Sequence, residues 1–134
     1  MPTSAEAVYL DSSALVKLAI VEAESRALKD FLSSGRLAFS SIIARVEVRR
    51  AVGRHGQRAL VNAGIVLART NLVRLEDQMV DTAGTLPPAT LRSLDAIHLA
   101  SALTLGPALI ALVTYDDRLA RAATALGLEV VAPS

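Results

Sequence analysis

The chain has 134 residues, 52% of them hydrophobic, with 14 basic and 13 acidic side chains and a formal charge of +1. That is the size of one ordinary domain with apolar content enough for a core, and it excludes a protein that holds nucleic acid by bulk charge. Cysteine is absent, which excludes disulfides, thiolate metal sites and cysteine nucleophiles, and aromatics at 3% are too few for stacking platforms along single strands.

The opening segment, MPTSAEAVYL, has no basic run and no long apolar stretch, so no signal peptide is expected. Residues 8–10 read as a short buried strand and 12–20 as a helix, with Leu15, Leu18 and Ala19 at helical spacing. A second helix is expected over 22–33, ended by Gly35, then a strand at 37–39. Ser41 suits the N-cap of a helix running from Ile42 to about Gly53, and another helix follows at 57–69. A strand at 72–74 leads to a helix over 76–83 that opens on acids, where the dipole favours them. After a loop at 84–88, the strongest helical pattern covers 91–105. Residues 98–115 carry no formal charge if the histidine is neutral, but Gly106-Pro107 splits them. They read as a helix end and a buried strand at 109–114, not as a membrane span. A helix at 117–126, stopped by Gly127, and an edge strand at 129–132 complete the pattern. Strands alternating with helices predict an α/β sandwich around a mostly parallel sheet. Its right-handed crossovers bring like strand ends to one edge, where ligands of such folds sit.

Asp11 and Asp116 each follow a core strand. Either can be an ordinary N-cap, but parallel topology would bring both to the same edge. Asp95, in SLDAIHLASAL, falls in a first helical turn that Ser93 can cap. Its neighbours one turn away, Leu91 and Leu99, place it beside a buried stripe, where a lone carboxylate is costly unless a cation meets it. Glu47, in SSIIARVEVRRAV, can be a surface acid paired with Arg50, yet Ile43, Val46, Val48 and Ala51 give it apolar surroundings. Four acids at a sheet edge suit Mg²⁺ or Mn²⁺, hard cations that take carboxylate oxygens and can activate water against a phosphodiester.

His98, one turn after Asp95, reads first as a structural histidine that can steady that carboxylate, with metal ligation as the alternative. Ser13 and Thr114 adjoin the two strand-end acids and can bond to their oxygens or serve as turn hydroxyls. Arg45, Arg49, Arg50, Arg54 and Arg58 form the densest basic run, and Arg118 and Arg121 follow Asp116. Arginine suits phosphate, and a solvated helix face is an equal reading for each.

Taken in order, VYLDSSALVKL, SSIIARVEVRRA, SLDAIHLASAL and LVTYDDRLARAA resemble the four acidic motifs of PIN-domain ribonucleases, most of all the VapC-type toxins of bacterial toxin–antitoxin pairs. The resemblance runs from about Val8 to Val131. It implies a PIN-like three-layer sandwich over one domain, a cytoplasmic homodimer, and endonucleolytic RNA cleavage dependent on Mg²⁺ or Mn²⁺. It also implies inhibition by a VapB-type antitoxin, through which alone operator DNA would be met. Carried onto this chain, Asp11, Glu47, Asp95 and Asp116 are the acidic quartet, with Asp11, Asp95 and Asp116 as direct metal ligands and Glu47 acting through water. Asp117 follows at once and can share the role of Asp116. The resemblance leaves Arg45, Arg49, Arg50 and Arg118 as candidates to meet RNA or a partner.

Two other readings compete. A phosphoacceptor domain also places an Asp after an early strand, but it needs a Lys after a later one. Both lysines, Lys17 and Lys29, come before residue 30, and Ser13 stands where a phosphatase would carry a second Asp. A non-catalytic PIN-shaped module acting with antitoxin and operator is disfavoured because all four acids are present.

Overall fold

The computed structural model describes residues 6–134. The absence of a targeting signal expected from the first five residues lies outside the described part. In chain order the elements are β1 (Ala7–Leu10), α1 (Ser12–Ala19), α2 (Ser25–Leu32), β2 (Leu37–Ser41), α3 (Ala44–Val52), α4 (Gln57–Ala68) and β3 (Asn71–Val73). Then come α5 (Asp77–Ala83), α6 (Ser93–Leu103), β4 (Leu109–Val113), α7 (Asp117–Ala125) and β5 (Val130–Val131).

The strands form one sheet in the order β3-β2-β1-β4-β5, every neighbouring pair parallel. The centre belongs to β1 and β4, whose sequences AVYL and LIALV are apolar throughout. A strand covered on both faces has to be. Alternation then sorts the side chains. Val8, Leu10, Ala111 and Val113 pack into the core shared with α1 to α4, while Tyr9 and Leu112 pack into the one shared with α6 and α7. The result is three layers, helices on both faces of a parallel sheet.

After β3 the chain crosses back to the other side of β1 to lay down β4, so the strand order reverses between β1 and β4. That reversal opens a crevice at their carboxyl ends, because the connections leaving the two strands diverge to opposite sides. Register completes the arrangement. Leu10 pairs with Val113, so Asp11 and Thr114 are the next residues on the two adjacent strands. The Asp11 N–H still donates to the Val113 carbonyl at 3.2 Å.

The end of β2 and the starts of α2, α3 and α6 differ from expectation, α2 beginning at Ser25 instead of residue 22. Ser41 is not the N-cap of α3. It ends β2, paired with Val73, and its hydroxyl accepts a 3.3 Å bond from the Ile43 N–H. Ladder bonds to β3 extend the strand past Phe39, and the helix starts at Ala44 instead of Ile42. The helix expected from Leu91 begins at Ser93, with extended Arg92 rather than Ser93 in the N-cap position. As expected, residues 98–115 hold the end of α6 and the strand β4, with a 3-10 turn at Gly106–Ala108 between them. Among the described residues no helix is long and apolar enough to cross a membrane.

Candidate active site

Asp11 is the anchor of the crevice. It is only 4% exposed. Its Oδ1 accepts from the Ser13 hydroxyl at 2.6 Å and the Ala14 N–H at 3.0 Å, the second bond capping α1, and its Oδ2 accepts from the Thr114 hydroxyl at 2.6 Å. Both sequence readings therefore hold at once: the residue caps a helix and faces the sheet edge. Burial raises its pKa, and the bonds from Ser13 and Thr114 pull the other way. A carboxylate offers about four lone pairs; three are used, and the remaining one is on Oδ2.

The two hydroxyls tie the strand ends together. Thr114 Oγ1 accepts from the Asp116 N–H at 3.0 Å while donating to Asp11, and Ser13 Oγ accepts from the Tyr115 N–H at 3.0 Å while donating to Asp11. Asp116 caps α7, its Oδ1 accepting from the N–H groups of Arg118 at 2.9 Å and Leu119 at 3.3 Å. Its Oδ2 has no donor among the described residues. Asp117, the first residue of α7, is exposed on the outer lip.

Asp95 stands third in α6, within the first turn. Its half-buried carboxylate accepts no side-chain hydrogen bond and no ion pair from the described residues. Burial raises its pKa, and the charges of Asp116, Asp11 and Glu47 raise it further. The charge of His98 pulls the other way, and Arg92, Arg118 and Arg121 line the same hollow without forming an ion pair with it among the described residues.

Glu47 is positioned differently from the way its neighbours in sequence suggest. Val46 is 65% exposed and Ala51 is exposed too, so the apolar surroundings expected around it are incomplete. Arg50 does not pair with it. Instead Oε1 accepts from the Ser12 hydroxyl at 2.6 Å and from His98 Nε2 at 2.7 Å. His98 is 3% exposed, and its Nδ1 lies 2.7 Å from the Tyr9 hydroxyl. The ionised Glu47 carboxylate can only accept, which places an imidazole hydrogen on Nε2; in the neutral ring Nδ1 is then the acceptor for the Tyr9 hydroxyl. His98 thus steadies Glu47, not Asp95, because Tyr9 holds it on the β1 side of α6. Tyr9 and Ser12 were not singled out from sequence; the bond from Tyr9 to His98 spans 89 positions.

Burial pushes the Glu47 pKa up, but the bonds from His98 and Ser12 outweigh it and the net shift is downward. A depressed carboxyl contributes stability in full above its ordinary value of 4.5 and loses it as pH falls through the folded value. Glu47→Gln is therefore expected to flatten the acid limb of a stability–pH profile. Urea titrations of both proteins between neutral pH and about pH 3 check this; identical slopes would refute it.

Around this core lie two adjoining hollows. A polar one of about 500 Å³ is lined by Asp95, Asp116, Asp117, Arg92, Arg118 and Arg121. A second, of about 690 Å³, shares Asp95 and the three arginines and continues between the loop before α6 and the surface of α7. Arg92 was missed from sequence, although its place three residues before Asp95 was a signal. Arg45, Arg49 and Arg50 are exposed on α3 and line neither hollow; Arg49 donates to the Arg45 carbonyl at 3.1 Å.

The PIN-domain family model matches residues 8–125. The chain belongs to the PIN-domain family. Ribonuclease VapC46 of Mycobacterium tuberculosis strain H37Rv is 49% identical over 128 residues, covering 96% of this chain and 98% of that protein. Ribonuclease VapC35 of the same species is 45% identical over 130 residues, covering 94% and 96%. Two solved structures share the PIN fold. The M. tuberculosis toxin VapC20, described as cleaving the sarcin-ricin loop, superposes with a TM-score of 0.74 at 18% identity, over 94% of this chain and 99% of that one. VapBC2 from Rickettsia felis, bound to a promoter DNA fragment, gives 0.70 at 14% identity, over 95% and 99%. The three-layer sandwich expected from the sequence is thus the fold of this PIN domain, and its relatives are VapC ribonucleases.

Proposed function

We propose that this PIN domain is the toxin of a toxin–antitoxin pair, a cytoplasmic endoribonuclease that needs Mg²⁺ or Mn²⁺ and is silenced by a VapB-type antitoxin. The observation that carries the reading is Asp95. A half-buried acid without a side-chain donor, raised in pKa by burial and by three neighbouring acids against the pull of His98, is tolerable when a cation shares the space. Among the described residues no three Asp, Glu or His side chains close on one point as a complete ligand set. That agrees with Mg²⁺, which keeps several waters and takes one or two carboxylates. The donors that would hold it are Asp95, the free Oδ2 of Asp116 and the remaining lone pair of Asp11 Oδ2, with Glu47, whose Oε2 takes no bond from the described residues, acting through water.

A divalent cation held there supplies charge neutralisation for a phosphodiester and a more acidic water. The chain's own residues do the rest. Thr114 and Ser13 fix Asp11, His98 and Ser12 fix Glu47, and the α7 cap fixes Asp116, so these three acids are oriented before substrate arrives. Arg118, at the mouth, meets RNA phosphate, and no side chain serves as covalent nucleophile. The RNA substrate belongs to this same reading and is supported by the relatives' names; the homodimer is carried by the family resemblance alone. The other reading is a non-catalytic PIN-shaped module that acts only with the antitoxin and its operator.

One experiment separates the two. Purified protein is expected to cut RNA with Mg²⁺, to stop with EDTA, and to lose cutting in Asp11→Asn while circular dichroism stays native. Calorimetry with Mn²⁺ should register binding to the unaltered protein. No heat of binding and no cutting would mean the non-catalytic module; cutting that survives EDTA or Asp11→Asn would overturn the metal-dependent mechanism.

A further inference from the structure

Apart from the shared Asp95, the second hollow brings no carboxylate to a cation, and its chemistry is mixed. Arg92, Arg118 and Arg121 form its border with the acids, and beyond them the walls are apolar: Pro88, Leu91 and, on α7, Ala122, Ala125 and Leu126. Among the described residues none of the three arginines is in an ion pair, though Asp95, Asp116 and Asp117 line the same mouth. Three guanidiniums against the single carboxylate of this hollow leave it net positive beside a negative centre. Four residues are common to both hollows, so whatever fills this one is continuous with whatever lies over Asp95.

A ligand suited to that sequence of surfaces is anionic at one end and flat and apolar at the other. We propose that the hollow is a nucleotide subsite: it receives the nucleotide next to the cut, its phosphate on Arg118 and Arg121 and its base laid on the Pro88–Leu91–Leu126 floor. The assignment rests on the nuclease reading and adds to it the place where base preference is set. Guanidinium planes pair with phosphate through two hydrogen bonds and stack on bases. Single-stranded RNA offers splayed bases to such surfaces where a duplex cannot. None of the chain's aromatics, Tyr9, Phe31, Phe39 and Tyr115, lines the hollow, so arginine and aliphatic contact carry the base. Thr90, on the rim, offers a hydroxyl for reading its edge.

The test uses two variants of the full chain. Arg121→Ala removes one phosphate contact; Ala125→Trp, at an exposed position on the last residue of α7, fills the apolar part. Binding of a labelled single-stranded oligoribonucleotide, read by anisotropy without divalent cation, is expected to weaken about tenfold in Arg121→Ala. The slope of log K against log salt should fall by about 0.7, one phosphate contact. Ala125→Trp should still cut, but sequencing of the RNA ends should show an altered base preference at one position flanking the cleavage site. Unchanged affinity and salt slope in Arg121→Ala, or an unchanged preference in Ala125→Trp, would overturn the subsite while leaving the nuclease intact. Variants that keep RNA binding but lose the antitoxin would give the hollow to the protein partner and overturn the nucleotide. An unaltered protein that neither binds nor cuts RNA would remove both readings together.

Discussion

Asp95→Asn is expected to raise the melting temperature by a few degrees at neutral pH without divalent cation, and to lower RNA cleavage by at least about 100-fold. Burial and the charges of Asp116, Asp11 and Glu47 raise the Asp95 pKa in the folded protein. A raised acid favours folding while protonated, below its unfolded pKa, and that contribution is lost as pH rises through the folded value. At neutral pH the charged side chain is therefore a destabilising group, and Asn removes the charge at nearly constant volume. Mg²⁺ should stabilise the unaltered protein by mass action and leave Asp95→Asn nearly where it was. Asp11 should respond in the opposite direction. Asp11→Ala strips the acceptor from the Ser13 hydroxyl, the Thr114 hydroxyl and the Ala14 N–H and should cost about 2–3 kcal/mol. Thermal melts of the two variants check the contrast. If both acids stabilise the metal-free fold, the picture of Asp95 as an unneutralised charge is wrong.

The second large effect is expected at His98. His98→Ala should cost about 3 kcal/mol in urea denaturation at pH 7, more than any substitution of the exposed arginines on α3. It opens a cavity between β1 and α6, leaves the Tyr9 phenol without its acceptor, and frees Glu47 from one of its two donors. Tyr9→Phe isolates one link of that chain and should cost about 1 kcal/mol. Glu47→Gln keeps an acceptor for the imidazole N–H and should cost less than His98→Ala. A loss under about 1 kcal/mol in His98→Ala would show that the chain of bonds does not hold Glu47.

The strand–Asp–helix transitions at Asp11 and Asp116 were readable because one residue both ends an apolar run and begins a periodic one. The parallel register then places Thr114 beside Asp11. Glu47 was readable as an acid but not for its partners, since Ser12 and His98 lie 35 and 51 positions away and only the fold brings them near. Ser41 misled because cap propensity is local, whereas its pairing with Val73 is a tertiary preference that overrides it. The arginine run after Arg45 drew attention by density, yet the three that line the hollows come from elsewhere: Arg92 just before α6, and Arg118 and Arg121 on α7.

The bond between Thr114 and Asp11 joins groups 103 positions apart, so neither half of the polypeptide contains a working centre. On the nuclease reading, the amino-terminal acids stay inert during synthesis until the carboxyl-terminal strand has left the ribosome. On that reading, a chain still being translated is harmless to the transcript that encodes it, and a proteolytic cut anywhere between the two strands that lets the pieces part disarms the toxin.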